Sequence, residues 1–201
     1  IFSAPMVRAL LDGRKTQTRR VLGNSGPGRG RSNIFSAQIG WSDSYVLDPG
    51  NANWRERDTP YAPGDRLWVR EAFSYESLDV DRNGFMPPWY WADGNPESGD
   101  FTRPKPSIHM PRWASRLTLL VTDVRVQRLQ EISSADAIAE GCPPYANSAT
   151  IDCDTPNPRD DFKRLWNGIH GPDAWDANPW VAAISFTVHR CNIDTMEEGT
   201  W

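Results

Sequence analysis

The sequence predicts an α+β fold: a mixed or antiparallel sheet, or a small barrel, with helices at its ends. Three observations carry that reading. Strand-patterned segments at 16–22, 66–73, 115–129 and 179–188 are not separated by regular helical crossovers, which disfavours a doubly wound parallel sheet. The helix signals are few and short. The 17 prolines and 15 glycines fall mostly between these elements and mark irregular insertions at about 23–60, 76–112 and 142–159. A chain of 201 residues is long enough for one cored domain, read as 1–190, with a flexible tail at 191–201.

Residues 1–2 read as the end of a strand. Ser3 is a candidate N-cap, and Pro5 falls in a first helical turn, where its missing N–H is no loss. Met6, Val7, Leu10 and Leu11 share one face, and Gly13 suits the left-handed residue that ends a helix. Thr16 to Leu22 alternates and is rich in β-formers. On that strand Thr16, Thr18 and Arg20 share one face, and Gln17 and Arg19 the other. Tyr61-Ala62-Pro63-Gly64-Asp65 is a turn that launches a strand over 66–73.

Residues 115–129 read as a long strand or bent pair, with Leu117, Leu119, Val121, Val124 and Val126 inward. A slip in parity near Thr122-Asp123 predicts a bulge or turn. Ser133 and Asp136 have the spacing of a capping box, and their helix ends at Glu140 before Gly141. Asp160 or Asp161 caps a third helix with Phe162, Leu165, Trp166 and Ile169 on one face, closed by Gly171-Pro172. The last strand is 179–188.

Charge and cysteine content narrow the function classes. The net charge is −4, which argues against a general nucleic-acid coat. The first 31 residues nevertheless hold Arg8, Arg14, Lys15, Arg19, Arg20, Arg29 and Arg31 against Asp12 alone. A locally basic face on an acidic protein suits a small anionic or polar ligand, or a short RNA contact. Cys142, Cys153 and Cys191 lack a C-x-x-C spacing, so neither a disulfide framework nor a zinc ribbon is predicted. A zinc site built from them with His170 or His189 is set aside in favour of free thiols, and no metal or cofactor is expected. No apolar run approaches the ~20 residues of a membrane span, and no signal-peptide core is visible. The chain reads as soluble and cytoplasmic, with no membrane partner.

The densest chemical signal is Gly13-Arg14-Lys15-Thr16-Gln17-Thr18-Arg19-Arg20, with four cations and two hydroxyls directly after the first helix. Taken singly, its members have ordinary readings. Lys15 and the arginines suit a solvated basic face, Thr18 is a β-branched strand residue, and Glu140 an ordinary surface helix residue. His109, His170 and His189 read as satisfied or exposed histidines. Trp68 and the Trp89-Tyr90-Trp91 cluster read as packing, with stacking on a base as the alternative. Arg70 and Glu71 lie on opposite faces of their strand, so one of them is placed to line a barrel mouth.

In order along the chain, a helix, Gly13-Arg14-Lys15-Thr16-x-Thr18-x-Arg20, Pro63-Gly64-Asp65 opening a strand, and a helix ending Ala139-Glu140-Gly141 resemble an ASCH domain. ASCH domains are small barrels of the PUA-like superfamily, and members of this layout occur in phage and prophage genomes. The resemblance covers roughly 1–22, 61–75, 115–141 and 160–190, and not the insertions. It implies a small mixed β-barrel with flanking helices. Within that superfamily the motif is similar to that of the small bacterial N4-acetylcytidine amidohydrolases, whose site is a lysine, a threonine three residues later and a glutamate on the later helix. It implies Lys15, Thr18 and Glu140 as the catalytic set. Gln17 and Arg19 depart from that pattern, standing where those enzymes have apolar residues.

An amide hydrolase needs a nucleophile, a base and a group to stabilise the oxyanion. The resemblance casts Thr18 as nucleophile, with Lys15 as base if burial or neighbouring Arg14 and Arg19 lower its pKa. Glu140 would orient the lysine or serve the leaving amine. It lies near a helix C-terminus, where the dipole opposes a carboxylate, so a cationic partner is expected, with Lys15 the candidate. Arg14, Arg19, Arg20, Trp68 and Arg70 form the expected substrate-binding set, the arginines as a rim for a nucleotide. The expected ligand is a modified nucleoside or short RNA. The same basic face also fits a binding module without chemistry, or a ribonuclease.

Overall fold

The computed structural model describes residues 1–22, 59–75, 88–143 and 157–196, with positions 44, 48 and 50. Most of the expected insertions at 23–60 and 142–159, the 76–87 part of the middle one and the end of the tail lie outside the described residues. In chain order the elements are α1 (Ala4–Leu11), β1 (Gln17–Val21), β2 (Arg66–Trp68), β3 (Phe73–Ser74), β4 (Trp89–Tyr90), β5 (Thr118–Arg128), α2 (Ser134–Ala139), α3 (Pro158–His170) and β6 (Trp180–His189). The protein is α+β, with the main strands hydrogen-bonded in the order β1-β6-β5-β2 and a separate β3-β4 pair. The chain divides into two compact units. The first is Ile1–Lys15, Arg66–Leu120 and Thr187–Trp201, and the second is Thr16–Asp65 and Val121–Phe186.

In the first unit, α1 starts from an extended Ser3 with proline in its first turn, although the Ser3 side chain makes no cap bond. Val7, Ala9 and Leu10 are buried, and Arg8 Nη1 donates to Ala92 O at 2.9 Å, tying α1 to the short 3-10 turn Trp91–Asp93. The helix ends as expected. Gly13 has φ +71°, its N–H donates to Leu10 O at 3.1 Å, and Arg14 N–H donates to Ala9 O at 2.9 Å, the paired bonds of a Schellman motif. Lys15 N–H joins the same Ala9 carbonyl at 2.9 Å, so the chain leaves the helix in one defined direction.

The expected strand over 66–73 is instead two pieces. β2 pairs antiparallel with β5 (Leu67 opposite Leu119), and β3 pairs antiparallel with β4 (Phe73 opposite Tyr90). Between them the backbone finds other partners. Val69 N–H donates to Leu117 O, Val69 O accepts from Ser115 Oγ, and Arg70 O accepts from the N–H of Phe2. Residues 1–2 are therefore attached by that bond rather than as a strand. The stretch 88–112 is also more regular than expected, with β4 and 3-10 turns at Trp91–Asp93, Ser107–His109 and Arg112–Ala114 around a Phe73, Met110 and Ala114 core. Residues 191–196 are held, not loose. Asn192 Nδ2 donates to the carbonyls of Arg112, Trp113 and Ser115, and Thr118 Oγ1 donates to Cys191 O at 3.0 Å.

In the second unit, β1 pairs antiparallel with β6, Thr18 opposite Ile184. β5 runs unbroken through the expected bulge. The parity slip survives only as burial: Val121 is buried, Thr122 and Asp123 are both exposed, and Val124 and Val126 are half-buried. Helices α2 and α3 close over a core that includes Leu129, Ile132, Ala137, Phe162, Trp166, Trp175 and Val181. The capping box forms, with Asp136 N–H donating to Ser133 Oγ at 3.0 Å. The cap of α3 is Asn157, not an aspartate, because Pro158 takes the first helical position and Asn157 Oδ1 accepts from Arg159 N–H at 3.1 Å. Phe162 and Trp166 are buried as expected, but Ile169 in the last turn is 65% exposed.

Candidate functional site

The sequence-predicted catalytic residues are withdrawn from water. Lys15 is 2% exposed, Thr18 6% and Glu140 3%. Neither the solvated basic face for Lys15 nor the surface helix position for Glu140 holds. Lys15 belongs to the first unit, where its ammonium lies 5.9 Å from the centroid of the Phe2 ring. Thr18 and Glu140 belong to the second.

Each of the second unit's buried side chains has a local cause. β1 ends the strand order of the main sheet and pairs with β6, and its first three residues, Gln17, Thr18 and Arg19, are buried. Alternation turns Gln17 and Arg19 to one face and Thr18 to the other. Glu140 caps the C-terminus of α2, its N–H donating to Asp136 O at 2.8 Å, and Gly141 at φ +95° turns the chain away. Thr16 N–H donates to Ala139 O at 2.8 Å, which brings the last turn of α2 to the start of β1. Asp136 and Glu140, four apart on the helix, share a face.

These two faces meet through Arg19. Its side chain is fully buried, its Nη1 donates to Gln17 Oε1 at 2.6 Å and to Glu140 Oε1 at 3.1 Å, and its guanidinium lies 5.7 Å from the Phe162 ring centroid. Nη2 is 3.3 Å from Asp136 Oδ2 but out of line for a hydrogen bond. Among the described residues neither Nη2 nor Nε has a hydrogen-bond acceptor. Asp136 also takes a 2.9 Å bond from Arg125 Nη2. Burial works to raise the Asp136 pKa. The bond and charge of Arg125, the charge of Arg19 and a bond from Gln17 outweigh burial and hold it below the usual 3.8.

The sequence placed Arg19 in the substrate-binding rim; the structure buries it and pairs its guanidinium with Glu140. The signal was present as two periodicities, the shared face of Gln17 and Arg19 and the four-residue spacing of Asp136 and Glu140. Arg14 is exposed and paired with Asp12 at 2.8 Å. Arg20 is half-buried, and its charge, after burial, helps hold His170 below its usual pKa of 6.5. Arg70 and Trp68 stand together in the first unit, the guanidinium 4.3 Å from the ring centroid, with Arg70 Nη1 3.4 Å from Ile108 O.

A second buried charge cluster, in the first unit, went unnoticed in the sequence. Glu71 is 1% exposed and receives a two-bond fork from Arg116, both at 2.9 Å. The same guanidinium makes two bonds to Asp93 at 2.6 and 2.8 Å and lies 4.0 Å from the Tyr90 ring centroid. Burial raises Glu71 above its usual 4.5 despite Arg116, and pushes the Tyr90 hydroxyl up to about 12. Tyr90 donates that hydroxyl to Ala114 O at 2.8 Å.

Among the described residues no group of three or more His, Cys, Asp or Glu side chains is arranged to hold a metal ion, and no helix is long and apolar enough to cross a membrane. No family model, curated protein or solved structure matches the chain.

Proposed function

We propose that this chain is a PUA-like barrel of the ASCH type that hydrolyses the amide of N4-acylated cytosine nucleosides. The observation that supports it best is the burial of Lys15, Thr18 and Glu140, the three residues the family motif singles out. Ionisable side chains withdrawn from water are costly to bury, and functional sites are one of the settings in which they are kept.

In this reading Thr18 Oγ attacks the acyl carbon and its proton passes to the Lys15 amine. The tetrahedral intermediate collapses to a threonyl ester, and the cytosine amine leaves with the proton carried by Lys15. Water then adds to the ester by the same route and releases the carboxylic acid and free Thr18. Because Thr18 lies on the opposite face of β1 from Arg19 and Gln17, Glu140 is assigned to the leaving amine rather than to the hydroxyl itself. A nucleotide-binding module without chemistry is the competing reading. It draws on the basic strip, of which Arg19 is buried on Glu140 and Arg14 is paired with Asp12.

The test follows absorbance as purified protein acts on N4-acetylcytidine and a series of longer acyl groups. Turnover is expected, with Thr18→Ala lowering kcat by more than about 10³-fold. Lys15→Met is expected to lower it by roughly 10²–10⁴-fold, the span of a general base. Absence of turnover across the series, or full turnover by Thr18→Ala, sinks the hydrolase reading.

A further inference from the structure

Arg19 is bonded to Glu140 in a way that stability alone does not explain. Its side chain is wholly out of water, yet of its three nitrogens only Nη1 makes hydrogen bonds among the described residues. A guanidinium used for packing would be better replaced by an apolar side chain of the same volume, since its desolvation is only partly matched by pairing. Glu140 needs a cation for a different reason. It stands at the C-terminal end of α2, where the helix carbonyls repel a carboxylate. Asp136, one turn earlier on the same face, competes for the same guanidinium. Arg125 Nη2 already holds Asp136 Oδ1 at 2.9 Å, and Gln17 adds a bond to that carboxyl, which leaves Arg19 Nη1 to Glu140.

We infer that Arg19 is a positioning residue: it fixes the Glu140 carboxylate in the direction from which that group serves amide hydrolysis, while Arg125 occupies Asp136. Gln17, bonded to Arg19 at 2.6 Å, fixes the guanidinium in turn. The inference rests on the hydrolase reading above, so its test has one arm that needs no turnover.

The experiment compares wild type, Arg19→Met and Arg19→Lys by two readouts. Methylene ¹³C relaxation reports the order of the Glu140 side chain, and steady-state kinetics on N4-acetylcytidine report kcat and KM separately. Arg19→Met is expected to loosen Glu140 and to lower kcat by about 10²-fold, the loss that a small misplacement of a reacting group produces, with KM nearly unchanged. Arg19→Lys keeps the charge without the planar fork and is expected to recover only part of kcat. If Arg19→Met does not fold, Arg19→Lys carries both readouts. Adding Glu140→Gln to either variant should lower kcat little further, because the two residues act through one group.

If wild type turns over and Arg19→Met keeps its kcat, the positioning role is overturned whether or not Glu140 loosens, and the hydrolase reading stands. If wild type is inert while Glu140 loosens in Arg19→Met, the hydrolase reading falls and Arg19 is still what holds the carboxylate. Inert wild type with a rigid Glu140 in Arg19→Met removes both.

Discussion

Arg116 and Arg19 are both arginines set against a buried glutamate, and they are used in opposite ways. Arg116 keeps 24% of its side chain in contact with water, grips Glu71 through two parallel bonds and Asp93 through two more, and covers the Tyr90 ring. Arg19 keeps none, reaches Glu140 through one nitrogen, and leaves two others without an acceptor among the described residues. The first arrangement is what a buried charge needs in order to be tolerated: bidentate geometry and filled lone pairs. The second is under-satisfied, and under-satisfied polar groups in an interior point to a demand other than stability. The contrast separates a structural staple from a candidate working site without reference to any relative.

The largest effect expected from that contrast is on stability. Arg116→Met leaves the Glu71 carboxyl buried without its partner, and should destabilise the protein by about 3–5 kcal/mol in urea denaturation. Adding Glu71→Leu should return most of the loss, since removing both partners leaves no orphan. Arg19→Met removes one bond to Glu140 and one to Gln17 and should lose about 1–3 kcal/mol. Equal losses for the two arginines would erase the distinction between them.

The two clusters should also answer pH with opposite signs. Glu71 has its folded pKa raised above 4.5, by burial first, so its contribution to stability is present below 4.5 and is lost as pH rises through the folded value. Asp136 has its folded pKa lowered below 3.8, where Arg125, Arg19 and Gln17 overcome burial. Its contribution is present above 3.8 and is lost as pH falls through the folded value. Urea midpoints taken across the acid range for wild type, Glu71→Gln and Asp136→Asn separate these terms. The deficit of Asp136→Asn should shrink toward low pH, and Glu71→Gln should improve against wild type as pH rises. Two difference curves of the same sign would mean that one cluster is misread.

What the sequence revealed of these clusters follows the range of the interactions. Contacts closed within a turn were legible: the Ser133 and Asp136 box, Gly13 after α1 and Gly141 after Glu140 all carry their own chemistry. Strand parity paired Gln17 with Arg19, and helix spacing paired Asp136 with Glu140. Neither says that the two faces meet, which depends on Thr16 bonding to Ala139 across the intervening chain. The strand over 66–73 was drawn too long for the same reason. Its pattern is continuous, but Phe2, Met110, Ser115 and Leu117 take the backbone groups of Val69, Arg70 and Glu71. Depth was the least visible quantity: an arginine in an alternating strand reads as solvated until its neighbours are known. Arg116 was missed because Glu71 lies 45 residues away with nothing local to link them.

A smaller effect sharpens the comparison further. Ser133→Ala removes the oxygen that accepts Asp136 N–H at 3.0 Å and should lower stability by about 1 kcal/mol. Arg14→Ala, which breaks an exposed pair with Asp12, should change it by less than about 0.5 kcal/mol. The informative quantity is the coupling of Ser133→Ala to Arg125→Ala. Asp136 supplies both the backbone N–H that Ser133 caps and the carboxylate that Arg125 holds, so the two losses should fail to add by roughly 0.5 kcal/mol or more. Coupling of that size means that the first turn of α2 helps set the face on which Glu140 meets Arg19. Strict additivity means that the cap only starts a helix, and that the charge cluster is held from β1 alone.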